Sequence, residues 1–369
     1  MEPSKRLFSL DVLRGFCMLL LLYGSAVAWA MVGAPGHADT PVPWWPRWIT
    51  TQFSHPWGVY TLFDIVQPLF AVVCGASVPL ALDKRLENGC ARGVYWRHVL
   101  GRFLLLFVTG AVLFGFLTLD VARAPYFGNT LQLLACGYLF TAVCRAWVPR
   151  RFWPAVAALL VLAWGLVLGF GGDFSKNGNV AAAIERYMTA LLVPGKTLKE
   201  VETTYWATVP MFCALTLAGA YAMGFLRDTS RSLVRRANTI LAVGAALTVA
   251  GLALHPVQPI IKHIYSASYT VFSCGLDFLL WGAFIWIYDI WSVRRGTWLL
   301  SLYGRASLAS YVQWCLFGTF YLAASWHHLG PLATRFLPVE YHEIVKMCGA
   351  LVLSTGVLWL WSRRRGGTA

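Results

Sequence analysis

Two side chains with useful chemistry lie close together early in the chain. His55 precedes Asp64 by nine residues, with Trp57 between them, where a polar segment gives way to a long apolar run. An imidazole exchanges protons near neutrality, and a nearby carboxylate would fix its tautomer and orient it as a general base. By itself, a loop histidine also reads as a solvated residue. Asn129 and Gln132 are three apart and so share a helical face. They suit contacts to a developing oxyanion or to sugar hydroxyls, and Asn129 equally suits a helix N-cap. Asp11 and Arg14 are also three apart, the spacing of a local ion pair. His255, Gln258, Lys262 and His263 form a polar cluster just before Ser266. Asp277 and Gln313 lie within apolar runs, where an ionised group costs about 2.5–3.5 kcal/mol on insertion scales. The chain contains no HExxH, CxxC, Walker loop, GxGxxG or GxSxG. Its scattered histidines lack ligand spacing, so no metal site is expected. What remains is acid–base chemistry by histidine and carboxylates.

The elements that must position these groups follow from composition. Of 369 residues, 58% are hydrophobic and 12% charged, against about 45–50% and about 25% in soluble domains. A bilayer core of about 30 Å needs about 20 helical residues. Ten runs meet that length: 12–33, 60–82, 99–119, 129–147, 153–172, 206–226, 237–255, 268–291, 299–322 and 343–362. The expectation is an all-α, polytopic membrane bundle of about ten transmembrane helices, with residues 1–369 as a single domain. Ala28-Trp29-Ala30 imitates a signal-peptide cleavage site after Lys5 and Arg6. The patterned Asp11 and Arg14 at the mouth of the run argue for a retained span instead.

The net charge of +14 does not point to nucleic acid, because the basic residues sit in short loops between apolar runs. With the N-terminus inside, 19 Lys and Arg fall on inner segments and 8 on outer ones. The positive-inside rule therefore places both termini in the cytoplasm. The longer outer connections are 34–59, 173–205 and 323–342. The first carries Pro41, Pro43, Trp44, Trp45, Pro46 and Trp48, aromatics that suit a membrane interface or the face of a sugar. Nine cysteines, odd in number and mostly inside apolar runs, read as small apolar residues and not as a disulfide framework.

Several segments together resemble one family. Arg6-Leu7-Phe8-Ser9-Leu10-Asp11-Val12-Leu13-Arg14-Gly15 resembles the RxxSxDxxRG opening of transmembrane acyltransferases, in particular the heparan-α-glucosaminide N-acetyltransferase group and its bacterial relatives. Ser54-His55-Pro56-Trp57-Gly58, then Phe63-Asp64-Ile65-Val66-Gln67-Pro68, is similar to that group's histidine motif and DLVFP run. Gly75-Ala76-Ser77-Val78-Pro79, Gly128-Asn129-Thr130-Leu131-Gln132, Thr208-Val209-Pro210 and the segment from Pro259 to Tyr269 follow in family order. Three positions depart from the pattern: Ser25 stands in place of an Asn, Gln67 in place of an apolar residue, and Leu133 in place of an Arg.

The resemblance implies a membrane-bound, acetyl-CoA-dependent N- or O-acetyltransferase in a bacterial inner membrane. Acetyl would pass from cytoplasmic acetyl-CoA to an amino sugar or related glycan at the outer face. His55 would be the general base or an acetyl carrier, and Asp64 would orient it. Asn129 and Gln132 would supply oxyanion or sugar contacts, and Lys262 and Ser266 would meet phosphates or the acceptor. Arg14, Arg97, Arg102 and Arg305 at inner helix ends would hold the donor's phosphates. Expected partners are acetyl-CoA, the glycan acceptor and the lipid bilayer, with a homodimer left open and no nucleic acid. The competing readings are a sugar or amino-sugar transporter without chemistry, built on Asp277, Gln313 and Gln132, and a structural membrane component. Acetyl-CoA binding separates the first from an enzyme, and the pairing of His55 with Asp64 separates the second.

Overall fold

The computed structural model describes residues 7–24, 51–87, 89, 91–114, 127–192, 198, 200–201 and 203–364. The tryptophan- and proline-rich stretch 41–48, Ser25 and Cys90 lie outside the described residues. Among them the regular secondary structure is all helical, with no strand. Seven helical segments are long and apolar enough to cross a membrane: 62–83, 92–113, 150–171, 209–226, 233–254, 267–290 and 342–364.

The chain divides into two compact units. One takes in residues 57–60 and 67–286. It holds most of α2 (Val66–Glu87), then α3 (Arg92–Phe114), α4 (Thr130–Trp147), α5 (Trp153–Gly171), α6 (Val180–Leu192), α7 (Val209–Leu226), α8 (Leu233–Leu254) and most of α9, Ala267–Phe284. Helix α7 is the buried centre of this unit: Met211, Phe212, Leu215, Leu217, Ala220 and Met223 are all sequestered. It packs against α2 at a crossing that only glycines permit. A Cβ at Gly75 would lie 1.8 Å from the Thr216 carbonyl oxygen, and one at Gly219 would lie 1.9 Å from that of Val72. Close backbone approach through small residues is how helices associate in lipid, where burial of apolar surface drives little. On the α4 side, Thr141 Oγ1 donates to Thr216 Oγ1 at 3.0 Å.

The other unit takes in residues 6–56, 61–66 and 287–369. It holds α1 (Phe8–Leu19, continued by a π turn over Leu20–Gly24), α10 (Trp298–Arg305), α11 (Ser307–Phe336) and α12, His342–Arg364. Its α1–α10 crossing repeats the glycine device: a Cβ at Gly15 would meet the Leu300 carbonyl oxygen at 1.7 Å, and one at Gly304 that of Asp11 at 1.8 Å. Inside, the Tyr23, Tyr303 and Ser354 hydroxyls form one buried hydrogen-bonded group.

Several boundaries differ from the sequence expectation, four of them as follows. Helix α1 begins at Phe8 and not at residue 12, because the Asp289 carboxylate accepts the backbone N–H of Phe8 at 2.9 Å and that of Ser9 at 3.2 Å. A carboxylate at a helix N-terminus satisfies orphan donors and favours the helix dipole. The expected loop 173–205 contains α6, which Asn179 caps by accepting the Ala182 N–H at 2.8 Å. The run 299–322 is broken at Ala306, which leaves helical geometry at φ −111, ψ 31 between α10 and α11. The expected loop 323–342 is helical through Phe336, with Pro331 carried inside the helix.

Candidate functional site

The His55–Asp64 pair forms as the spacing suggests. Thr61, extended at φ −121, starts a short 3₁₀ turn over Leu62–Ile65 that leads into α2. Asp64 is the third residue of that turn, where a carboxylate reaches back to an exposed N-cap N–H. Its Oδ2 accepts the Thr61 N–H at 2.9 Å, and its Oδ1 lies 2.5 Å from His55 Nδ1. The carboxylate side chain is 1% exposed and the imidazole 33%. A buried carboxylate thus holds an accessible ring. Thr61 Oγ1 donates to the Ser54 carbonyl at 2.8 Å, which ties the residue before His55 to the same turn. The His55 ring stacks on Phe63, with centroids 5.1 Å apart and planes at 25°. With Nδ1–H donating to Asp64, the lone pair sits on Nε2, and that is the geometry of a general base.

A second polar cluster lies wholly within the larger unit. Asn129 caps α4, its Oδ1 accepting the Gln132 N–H at 3.1 Å. Gln132 Oε1 in return accepts from Asn129 Nδ2 at 2.7 Å and from the Gly128 N–H at 2.9 Å. Both side chains are buried. Next in sequence, Thr130 Oγ1 accepts from Gln67 Nε2 at 2.6 Å, and Tyr265 Oη donates to Gln67 Oε1 at 3.2 Å. Gln67 is a departure from the family pattern, and nothing in the sequence singles out Tyr265. Tyr265 is buried at φ +46, a conformation non-glycine residues rarely adopt. Trp164 Nε1 helps hold it, donating to the Tyr265 carbonyl at 3.1 Å.

Lys262 lies in a 3₁₀ turn, Lys262–Ile264, just before Tyr265. Ser266 caps α9. Its Oγ accepts the N–H groups of Tyr269 and Ile261 and donates to the Pro259 carbonyl at 2.8 Å, so a fully buried hydroxyl is spent on the backbone. His255 Nδ1 accepts the Ile260 N–H at 3.1 Å, and Gln258 Oε1 accepts that of Ala267 at 2.8 Å. Much of the polar cluster before α9 therefore shapes its loop. His263 stacks on Trp57 with centroids 4.9 Å apart, and Trp57 Nε1 donates to the Phe174 carbonyl at 3.1 Å. Gly58 follows Trp57 at φ +74, a turn for which glycine is the natural residue.

The remaining residues are distributed among other elements. Arg14 Nη1 donates to Asp11 at 3.3 Å, and Arg305 reaches the Ser301 hydroxyl at 3.5 Å. Arg102 lies 5.1 Å over the Tyr138 ring, and Arg97 is exposed on α3. Gln313 Nε2 donates to the Ser354 carbonyl at 3.1 Å. Asp277 in α9 is fully buried, and neither carboxylate oxygen has a hydrogen-bond partner among the described residues. In the 173–205 connection, burial pushes the Glu185 carboxyl up from its ordinary range, partly offset by the N–H groups of Tyr205 and Trp206 that it accepts. Among the described residues no group of three His, Cys, Asp or Glu side chains is placed to hold a metal.

A family model described as "Domain of unknown function (DUF5009)" matches residues 6–174. Over 235 residues the chain is 25% identical to the human protein named heparan-alpha-glucosaminide N-acetyltransferase, a stretch covering 51% of this chain and 32% of that protein. The chain thus spans about a third of the length of the curated relative it matches.

Proposed function

We propose that this protein is a membrane-bound acetyltransferase of that relative's kind. It would take acetyl from acetyl-CoA supplied at the cytoplasmic face and deliver it to an amino sugar or related glycan at the outer face of a bacterial inner membrane. The reading includes ten spans with both termini inside. The observation that carries it is the His55–Asp64 pair, an accessible imidazole fixed by a buried carboxylate that is itself fixed by a backbone N–H. The name of the human relative supplies the reaction class.

In this scheme the acceptor amine attacks the thioester carbonyl, so a C–N bond forms and the C–S bond breaks. His55 Nε2 takes the proton the nitrogen must lose and returns it to the departing thiolate. Asp64 holds Nδ1–H and stabilises the imidazolium formed between the two transfers. In the larger unit Gln67, Thr130 and Tyr265 form a polar network of their own, and Asn129 and Gln132 bond to each other. The transporter reading loses two of its three polar anchors, since Gln132 is tied to the α4 cap and Gln313 to the Ser354 carbonyl.

The test is acetyl transfer by the full chain in proteoliposomes, with labelled acetyl-CoA on the cytoplasmic side and glucosamine on the other. Labelled N-acetylglucosamine that disappears in His55→Ala supports the proposal. Flux of unmodified sugar without acetylation moves the assignment to a transporter.

A further inference from the structure

The larger unit contains a cavity of about 370 Å³ at the helix ends that the charge count assigns to the cytoplasm. Its walls include Asp83 of α2, Arg145 and Trp147 of α4, Arg150, Trp153 and Gly224 of α7. Asp83 is shared between two guanidinium groups. Arg145 Nε donates to one oxygen and Arg227 Nη1 to the other, each at 2.7 Å. Arg150 is seated on Gly224, where a Cβ would stand 2.2 Å from its Cζ, and its Nη2 donates to the Tyr221 carbonyl at 3.0 Å.

Three guanidinium groups therefore gather around one carboxylate, so that among the described residues two positive charges have no carboxylate of their own there. Donors are left over as well. A guanidinium carries five N–H groups, and Arg145 spends only Nε on an acceptor among the described residues. Its Nη groups are thus available beside Arg150. Trp147 is 67% exposed and stacks on Trp96 with centroids 5.1 Å apart, presenting a flat ring at the cavity rim. Planar forks with spare N–H groups, held by a carboxylate behind them, match the oxygens of a phosphate.

We propose that this cavity binds a phosphate group, with Arg145 and Arg150 donating to its oxygens and Asp83 holding Arg145 and Arg227 in place. Two sources carry that chemistry at this face: a soluble nucleotide phosphate, as on an acyl-CoA donor, or the headgroup of an anionic lipid. The first rests on the acetyl-transfer reading and the second does not. None of the arginines singled out from the sequence for this task, Arg14, Arg97, Arg102 and Arg305, is among the lining residues.

The experiment uses the full chain in phosphatidylcholine nanodiscs. One arm titrates adenosine 3′,5′-bisphosphate, and the other adds phosphatidylglycerol to the bilayer and counts retained lipids by native mass spectrometry. Binding of either probe should weaken about tenfold in Arg145→Gln and in Arg150→Gln, the effect of losing one charge-assisted hydrogen bond. It should also weaken with added salt. Arg335→Gln, in the other unit, should change neither. If the Gln variants do not elute as the wild type does, Arg145→Lys and Arg150→Lys decide, since they keep the charge and lose the bidentate fork. Binding of the nucleotide alone assigns a soluble ligand, and retention of the lipid alone assigns a headgroup. Binding of neither, or binding indifferent to Arg145 and Arg150 in variants that elute normally, overturns the proposal. Binding that survives in a protein with no acetyl transfer leaves the phosphate site standing and removes the reaction instead.

Discussion

Asp64 offers a sharper test than His55, because two substitutions there should fail in opposite ways. Thr61 is fully buried, and its N–H needs an acceptor that, among the described residues, Asp64 Oδ2 supplies. In Asp64→Asn the amide oxygen stays on that N–H, which turns the NH₂ toward His55 Nδ1. Nδ1 must then accept, the ring proton moves to Nε2, and the base arrives already protonated. A comparable tautomer error costs about 10⁴ in a Ser-His-Asp triad. Here the floor is set by His55→Ala, which should lose about 10²–10⁴, the usual worth of general base catalysis. Asp64→Asn should approach that floor. Asp64→Ala removes a hydrogen bond to a charged acceptor, worth about 1.5–3 kcal/mol, without imposing the wrong tautomer, so kcat should fall about 10- to 150-fold. Stability should run the other way. Asp64→Ala orphans the Thr61 N–H at about 1–3 kcal/mol, while Asp64→Asn keeps it satisfied. The assay is kcat for acetyl transfer to glucosamine beside thermal unfolding of the same preparations. An Asp64→Asn enzyme more active than Asp64→Ala would refute the tautomer argument, and near wild-type transfer by His55→Ala would remove the pair from the mechanism.

Three further outcomes are expected. Gly75→Ala and Gly219→Ala should each lower thermal stability by about 1–3 kcal/mol or more, since each Cβ would overlap a facing carbonyl oxygen; unfolding followed by fluorescence-detected size exclusion checks it. Glu185 is raised by burial, so its folded pKa lies above the unfolded one. Its contribution is least unfavourable below the unfolded value and turns against the fold as pH rises through the folded one. Glu185→Gln should therefore flatten that decline in melting temperature across the acidic range, while Glu185→Ala should destabilise at every pH by orphaning the Tyr205 and Trp206 N–H groups. A reporter fused after Ala369 should be active only in the cytoplasm, and activity outside would reverse the side assigned to His55.

Local features were the legible ones. Asn129 and Gln132 bond at the three-residue spacing that placed them on one face, and His55 meets Asp64 across nine residues of one segment. What was hidden depends on partners distant in sequence. The start of α1 is set by Asp289, 281 residues away from Phe8, and nothing near Phe8 announces it. Asp83 reads as the polar end of a span until Arg145 and Arg227, 62 and 144 residues on, converge on it. Tyr265 gave no signal either, because a strained backbone is visible only once Trp164 and the loop around Ser266 are in place. Helix α6 was concealed by its polar surroundings, since a span-length criterion passes over a 13-residue helix.

The structure also separates two kinds of residue within the family-like motifs. Gly15 is present because Leu300 leaves no room for a side chain, Gly75 because Thr216 leaves none, and Ser266 because an α9 cap and a loop both need its hydroxyl. Asn129 and Gln132 satisfy each other at the start of α4. These residues hold the frame, and any protein built on the same crossings and caps would keep them whatever its substrate. His55 is different. A capping carboxylate at Asp64 explains itself through Thr61, but an imbalance remains: closing the turn does not require a 33% exposed imidazole bonded to a 1% exposed carboxylate. A constrained, partly exposed ring that the turn itself does not require is where chemistry is expected. The weight of a 25% identity therefore falls unevenly. The glycines and caps argue for a frame alone, and the proposed reaction rests on His55 and Asp64.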